Sequence, residues 1–358
     1  MKSLFFWLLA LGYSNVWPCD VPVFRYALER WPAEIYEVVV FHRGSLSAED
    51  REIVSWLENS SAKKLAYANC IVREIDLGSL PEGPVKALWE SLANPELPCL
   101  AVRYPNNLIP GQSIWSGPLS AASAGAIIDS PARREIVRWI LGGESAVWVL
   151  VDSGDPEKDN RAASLLREEL PRLEKTLKLP PAVDRVSATG APDLKVGFSM
   201  LRLSRSDPEE EALARMLTCS ESDLEQYTSW PMAFPVYGRG RVLYALVGDG
   251  ISEENILEAC AFLVGPCACE LKGQNPGLDL LLPVDWEAGI NGSWVEEIGL
   301  PPLVGLAGLA DPSPGQGSGT GSGEPQGHLY RNILLALGLV LLVIALISLR
   351  IVKSQKQG

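Results

Sequence analysis

The stretch Glu37–His42 (EVVVFH) contains four consecutive apolar residues, three of them β-branched. A short run of this kind, without alternation, predicts a strand that is buried on both faces. After the run, Ser47 stands where it can cap a helix, and Ile53, Val54 and Leu57 recur on one face of the segment that follows. We therefore predict a buried strand followed by an amphipathic helix.

The same alternation of strands and helices continues to residue 141. The last helical region has Ser130 as N-cap and Pro131 at its first position, and Gly142-Gly143 ends it. The order over residues 37–141 is β-α-β-α-β-β-α. The remaining segments are strands at Cys70–Leu77, Leu100–Tyr104 and Ser113–Trp115, and a helix at Val85–Leu92.

Residues 145–264 repeat this order, which indicates an internal duplication. We predict two tandem α/β domains, 19–143 and 144–270. The second has helices that begin at Asp155-Pro156, Asp207-Pro208 and Ser252, and strands at Ala146–Val151, Val196–Leu203, Met232–Tyr237 and Arg241–Val247.

Short motifs in both copies resemble the thioredoxin fold. Leu97–Val102 (LPCLAV) is similar to the family's strand that follows a cis-proline, and Trp115–Ser120 (WSGPLS) to its junction between the last strand and the last helix. In the second copy, Pro231 takes the place of that proline and Val247-Gly248 that of the junction. The resemblance covers residues 37–141 and 145–264, and it implies a cis Leu97–Pro98 bond.

The chain departs from the family at the start of each copy's first helix, where the redox motif Cys-x-x-Cys belongs. The first copy has Gly44–Ala48 (GSLSA) there and the second has Ser153–Pro156 (SGDP), so redox activity is not implied. What the resemblance does imply is a binding face, formed by Ser45, Ser47, Pro98, Cys99 and Pro231. Ser47 is also a plain helix cap.

The chain has seven cysteines, at positions 19, 70, 99, 219, 260, 267 and 269. Cys99 is either a packing residue or a thiol that holds a partner's thiol or a metal. Cys260, Cys267 and Cys269 are open to three interpretations: buried packing, a disulfide, or a weak site for a soft metal. We predict no cofactor.

The two ends of the chain carry hydrophobic segments. Residues 1–18 have a lysine followed by the apolar run Leu4–Leu11, which is typical of a secretion signal. Near the other end, Ile333–Leu349 is apolar except for one serine, and we predict a transmembrane helix over 329–352. The basic tail, 353–358, is then cytoplasmic by the positive-inside rule. An apolar strap, 271–310, and a Gly/Ser/Pro-rich linker, 311–327, precede the helix.

Charge and composition exclude several functions. The net charge is −13, with 31 basic and 44 acidic residues, which argues against nucleic-acid binding. Two histidines are too few for a multi-histidine metal site, and there is no Gly-x-Ser-x-Gly motif of a serine hydrolase. The sequence therefore favours a single-pass, extracytoplasmic binding or scaffolding protein, the accessory subunit of a membrane complex such as a transporter or envelope assembly. The alternative is a thiol-dependent redox or metal-handling protein that uses Cys99 or the Cys260–Cys269 cluster.

Overall fold

The secondary structure alternates between strands and helices in a computed structural model that describes residues 19–61, 68–105, 113–180, 195–267, 272–275 and 277–291. The strands are β1 (Cys19–Pro22), β2 (Tyr36–His42), β3 (Cys70–Asp76), β4 (Cys99–Arg103), β5 (Trp115–Pro118), β6 (Ala146–Val151), β7 (Phe198–Leu203), β8 (Met232–Tyr237), β9 (Arg241–Val242), β10 (Leu246–Val247), β11 (Pro266–Cys267) and β12 (Leu278–Asp279). The helices are α1 (Val23–Arg30), α2 (Ala48–Ser60), α3 (Pro84–Ser91), α4 (Ala121–Ile128), α5 (Pro131–Leu141), α6 (Pro156–Thr176), α7 (Glu211–Thr218), α8 (Glu253–Val264) and α9 (Trp286–Asn291). The predicted mixed α/β class is confirmed.

The first half of the fold contains a four-stranded sheet in the order β3-β2-β4-β5. Strand β2 runs parallel to β3 and antiparallel to β4, and β4 is antiparallel to β5. Side chains of β2 alternate between the two faces. Val38 and Val40 pack in the same core as α2 and α4, whereas Val39 and Phe41 pack in a separate core with α3. Helices thus cover both faces, which explains why β2 is apolar without alternation.

The second half contains a sheet in the order β12-β9-β8-β6-β7, with β10 also paired to β8. Its central strand β6 is parallel to β7 and antiparallel to β8. Trp148 and Leu150 pack against α6 and α8, and Val147 and Val149 pack on the opposite face, in the core that contains α7. The two sheets therefore repeat the same arrangement of their central strands.

The predicted helix with Ser130 as N-cap and Pro131 at its first position is confirmed as α5, and a separate helix, α4, precedes it. Other details differ from the sequence-based prediction. Helix α7 begins at Glu211 instead of Asp207-Pro208. The segment predicted as one strand over Arg241–Val247 is split into β9 and β10. Leu243 N–H donates to Pro235 O at 3.0 Å, but Pro235 has no N–H and cannot donate the second hydrogen bond of the pair. The predicted cis Leu97–Pro98 bond is confirmed.

One hydrophobic core is shared by both halves. It contains Val38 and Val40 of the first sheet together with Val147 and Val149 of the second, joined through residues of α4, α5 and α7. All described residues belong to one unit of the chain, Met1–Gly305. The two halves on either side of the predicted boundary between residues 143 and 144 therefore share a core.

Residues 19–31 lie against the second half, whereas the sequence-based division groups them with the first. Strand β1 pairs antiparallel with β11, and Val23, Phe24 and Ala27 of α1 pack in the core of α6 and α8. Gly238 (φ +55°) allows this close approach, because a Cβ there would lie 2.7 Å from Ala27 Cβ. Residues 19–31 group with the second half because the apolar side of α1 packs on a surface of that half, which is distant from α1 in the sequence.

The described part of the strap, 272–275 and 277–291, contacts both halves. Strand β12 pairs with β9 of the second sheet. On the other side, Asn69 Nδ2 donates to Leu280 O at 3.0 Å, and Leu282 N–H donates to Asn69 Oδ1 at 2.9 Å. Arg133 Nε also donates to Leu281 O at 3.1 Å. The strap thus satisfies its backbone polar groups with partners from both halves.

The predicted signal (1–18), linker (311–327), transmembrane helix (329–352) and tail (353–358) lie outside the described residues, as does the rest of the strap, 292–310. Among the residues that the structure does describe, none of the helices combines the length and the apolar character needed to span a membrane.

Candidate functional site

Three segments of the first half meet at the carboxyl end of β2. The loop 43–47 leads from β2 into α2. In the antiparallel pairing of β2 with β4, Phe41 lies opposite Cys99, and Pro98 therefore lies beside His42. Cys99 also pairs with Pro118, so the junction between β5 and α4 follows on the other side. Leu119 N–H donates to Pro98 O at 3.0 Å and ties this junction to the proline. The loop that carries Ser45 and Ser47 and the proline Pro98 therefore both lie at the carboxyl end of β2.

The polar groups at the start of α2 are satisfied within the helix. Ser47 Oγ accepts from Asp50 N–H at 3.1 Å, and Asp50 Oδ2 accepts from Ser47 N–H at 3.2 Å. This reciprocal arrangement is a capping box. The Asp50 carboxylate thus occupies the position in which an external anion would meet the helix N-terminus. Both serines are exposed; Ser47 acts as a structural cap, and Ser45 lies in the loop before it.

Asp76 holds the loop that carries Ser45. Its Oδ1 accepts from Gly78 N–H at 2.9 Å and from Gly44 N–H at 3.3 Å. These two backbone donors lower the pKa of Asp76 below its usual value, because they stabilise the charged form. Gly44 adopts φ +71°, a conformation that glycine tolerates and most residues do not. The loop geometry is thus set by the end of β3.

The side chain of Cys99 does not lie at this end of the sheet. It is 0% exposed and packs with Val39, Val85 and Leu88 on the α3 side of the sheet, opposite to α2. Burial raises the pKa of the Cys99 thiol to about 11. The thiolate is the form that acts as nucleophile or metal ligand, and burial disfavours it here. We therefore assign Cys99 as a packing residue.

We expect Cys99 to resist alkylation in the native protein. At pH 7.5, a pKa of 11 leaves about 0.03% of the thiol ionised, and the side chain is enclosed. Peptide mapping after maleimide treatment should find Cys70, Cys99 and Cys260 unmodified, whereas half-buried Cys219 reacts. Treatment in denaturant should modify all four. Native labelling of Cys99 as fast as that of Cys219 would contradict the packing assignment.

An open groove of about 580 Å³ lies between α2 and the start of α4. Four residues at helical spacing, Glu49, Glu52, Ile53 and Trp56, form one side of it, and Asp50 lies at its end. The other side consists of Leu119, Ser120, Ala121 and Ala124. Trp56 is 47% exposed, which is unusual for so large an apolar side chain.

Sequence analysis did not identify this groove. The available signal was the position of Trp56 on the face of α2 that carries Glu49 and Glu52, opposite to the buried Val54 and Leu57. A single exposed tryptophan is a weak signal, because isolated apolar side chains are common on protein surfaces. The small residues of α4 that open the groove carry no such signal, because alanine is common in any helix.

The second half repeats the arrangement at the carboxyl end of β6. Val151 pairs with Met232, so Pro231 lies beside Asp152. Gly248 N–H donates to Pro231 O at 2.9 Å, as Leu119 does to Pro98 in the first half. The start of α6 is also closed by its own carboxylates, since Asp159 accepts from Ser153 N–H at 2.8 Å and Gly154 N–H at 3.0 Å. Pro231 itself is buried.

The cavity beside Pro231 is smaller, and its lining contains two basic side chains and one acidic side chain, Asp249. Its volume is about 120 Å³, and Lys158 and Arg161 line it together with Trp230. Lys158 Nζ lies 4.3 Å from the centroid of the Trp230 ring and donates to Ser229 O at 3.1 Å. The lysine therefore already occupies one face of the exposed indole in a cation–π contact.

In the described part of the chain, the cysteines of the candidate metal site are core residues. Cys260 and Cys267 are buried in the core of the second half, and Cys269 lies outside the described residues. Burial raises the pKa of Cys260 to about 12. Within the described ranges, no group of three or more histidine, cysteine, aspartate or glutamate side chains is placed to hold a metal ion.

Comparison of the sequence with models of known protein families gives no match. Comparison with curated proteins gives no match either.

Proposed function

We propose that the protein is a membrane-anchored, extracytoplasmic binding or scaffolding protein, with two thioredoxin-like halves that lack redox activity. The observation that carries this proposal is the open groove between α2 and α4, which lies beside a helix start whose polar groups are satisfied internally. Such an arrangement suits the contact of a partner surface, and it supplies no activated nucleophile or acid–base pair.

The sheet topology supports a thioredoxin-like assignment. In each half, the central strand is parallel to one neighbour and antiparallel to the other, and helices pack on both faces. A proline precedes the antiparallel neighbour in each half, and its carbonyl accepts from the junction before the last helical region. The same relations recur at Pro98 and at Pro231, which supports the predicted duplication.

The position of the thiols favours a non-catalytic role. A disulfide reductase needs an attacking thiolate and a second thiol within reach. Gly44–Ala48 and Ser153–Pro156 contain no cysteine, and Cys99 is enclosed on the opposite side of its sheet. A redox reaction at Cys99 would have to use a thiol whose pKa is raised by burial.

The membrane assignment rests on the sequence of the two ends. An apolar segment at Ile333–Leu349 followed by a basic tail favours a single span with the body outside the cytoplasm. A tethered body meets other membrane proteins at high effective concentration, so even a shallow groove is sufficient for association. We therefore propose a membrane protein as the partner, within a transporter or envelope complex.

We expect the full-length protein in detergent to show no insulin reduction above the buffer rate, because neither helix start carries a thiol pair. In membranes, a photo-crosslinking residue at the exposed position Ser45 should capture one membrane protein. The same residue at Glu168, exposed on α6, should not capture it. Turnover that is lost in Cys99→Ser would overturn the proposal, as would equal capture from both positions.

A further inference from the structure

We propose that the groove between α2 and α4 binds a basic peptide segment of the partner, with an apolar side chain close to its lysines or arginines. This inference rests on the proposed binding function and names the chemistry of the partner. It depends on three features of the groove: its acidic side, its apolar lining and the exposed indole of Trp56.

The acidic side consists of carboxylates without a cation. Asp50 bonds to Ser47, but Glu49 and Glu52 are exposed and have no ion-pair partner among the described residues. They stand three residues apart on one helix, where like charges repel each other. The helix dipole compensates Glu49 in the first turn, and its effect is weaker at Glu52. A lysine or arginine from a partner would remove this repulsion.

Each side of the groove also contributes apolar side chains to its lining. Ile53 and Leu119 contribute the larger surfaces, and Ala121 and Ala124 leave the space open above α4. A volume of about 580 Å³ is within the range of roughly 300–1,000 Å³ that ligand sites occupy. The groove therefore has room for at least one aliphatic side chain as well as the charged groups.

Trp56 closes the site beside the acidic residues. It lies one helical turn from Glu52 and Ile53, and nearly half of its surface is exposed. An indole in this position can cover an aliphatic side chain and attract a cation to its face. Tryptophan is also the residue type that contributes most to protein interfaces. Among the residues that the structure describes, the groove is lined by no lysine or arginine, whereas Lys158 already covers Trp230 in the second half.

The charge pattern excludes an anionic partner at this groove. Three carboxylates line it, and the chain as a whole carries a net charge of −13. The same net charge attracts any basic peptide non-specifically. The experiment must therefore distinguish binding at the groove from non-specific attraction by the net charge of the protein.

Fluorescence anisotropy of the full-length protein in a neutral detergent would test the inference. The probe is a fluorescein-labelled dodecapeptide of four lysines, two leucines and six serines, with empty micelles as the blank. We expect the Glu49→Gln/Glu52→Gln variant to bind about tenfold more weakly, since each exposed charge pair contributes modestly. Trp56→Ala should bind about thirtyfold more weakly, as expected for a central aromatic residue.

Two matched variants serve as controls. Glu168→Gln/Glu258→Gln removes the same charge from exposed positions on α6 and α8, and Leu257→Ala removes an exposed apolar side chain on α8. Both should bind the probe as the unaltered protein does. Peptides with glutamate in place of lysine, or serine in place of leucine, should bind at least tenfold more weakly.

An equal loss in both charge variants would overturn the inference, because binding would then follow the net charge. Binding of the glutamate peptide would overturn it as well, and so would the absence of binding to every peptide. These outcomes leave the proposed function intact if the Ser45 crosslink is still formed. Loss of the crosslink with retained peptide binding would instead count against the proposed partner.

Discussion

Replacement of Asp279 with alanine is expected to lower the free energy of unfolding by about 3–5 kcal/mol, because it removes one partner from a buried ion cluster. Asp279 is 1% exposed. Its carboxylate accepts from Arg241 Nη1 at 3.2 Å and from Glu34 N–H at 2.7 Å, and it also bonds to Lys272. Denaturant titration of the full-length protein, followed by near-ultraviolet circular dichroism, would measure the change.

Asp223→Ala is the matched control for this prediction. Asp223 is exposed, and its side chain makes no capping hydrogen bond to the short helix that follows it. We expect this variant to stay within about 0.5 kcal/mol of the unaltered protein. A loss below about 1 kcal/mol in Asp279→Ala would mean that the strap contributes little to the stability of the fold.

Replacement of Glu210 with alanine is expected to cost about 3–5 kcal/mol as well, because a buried carboxylate near a buried guanidinium is lost. Glu210 Oε2 accepts from Ser130 Oγ at 2.6 Å, and Oε1 accepts from Ala132 N–H at 2.7 Å. Arg133 is completely buried, and burial lowers its pKa to about 10 even though Glu210 raises it. Without Glu210, the charge of Arg133 would lose the carboxylate that compensates it most.

The neighbouring residue Glu209 provides the comparison, since it is exposed. Glu209→Ala should change the free energy of unfolding by less than about 0.5 kcal/mol. Glu210→Gln retains one acceptor and should fall between the two variants. Equal midpoints of denaturation for Glu209→Ala and Glu210→Ala would show that the contact between the halves is not needed for stability.

Most secondary structure was predictable because its signals are local. Ser47, Ser130, Asp155 and Ser252 cap helices as the sequence indicates. The apolar run of β2 forms a central strand for the same reason, since an unbroken run is stable only when both faces are covered. Pro235 of β8 lacks a backbone N–H, and the strand opposite it is interrupted between β9 and β10. The apolar pattern of Arg241–Val247 did not reveal this interruption.

The candidate site was predictable only in part. Ser45, Ser47 and Pro98 follow from the order of the elements, because the ends of neighbouring strands meet at one edge of a sheet. The side of the sheet that Cys99 faces was open, since an alternating strand fits either orientation equally well. The groove at Trp56 needed the distance between α2 and α4, which no local pattern encodes.

The sequence by itself determined the mixed α/β class, most of the strands and helices, and the absence of a thiol pair at either helix start. Only the tertiary structure decided that the halves share a core and that α1 covers the second half. It also decided that Glu210 caps α5 of the other half. The physical reason is that periodicity and capping act over one or two helical turns, whereas a shared core depends on which surfaces of distant segments fit together.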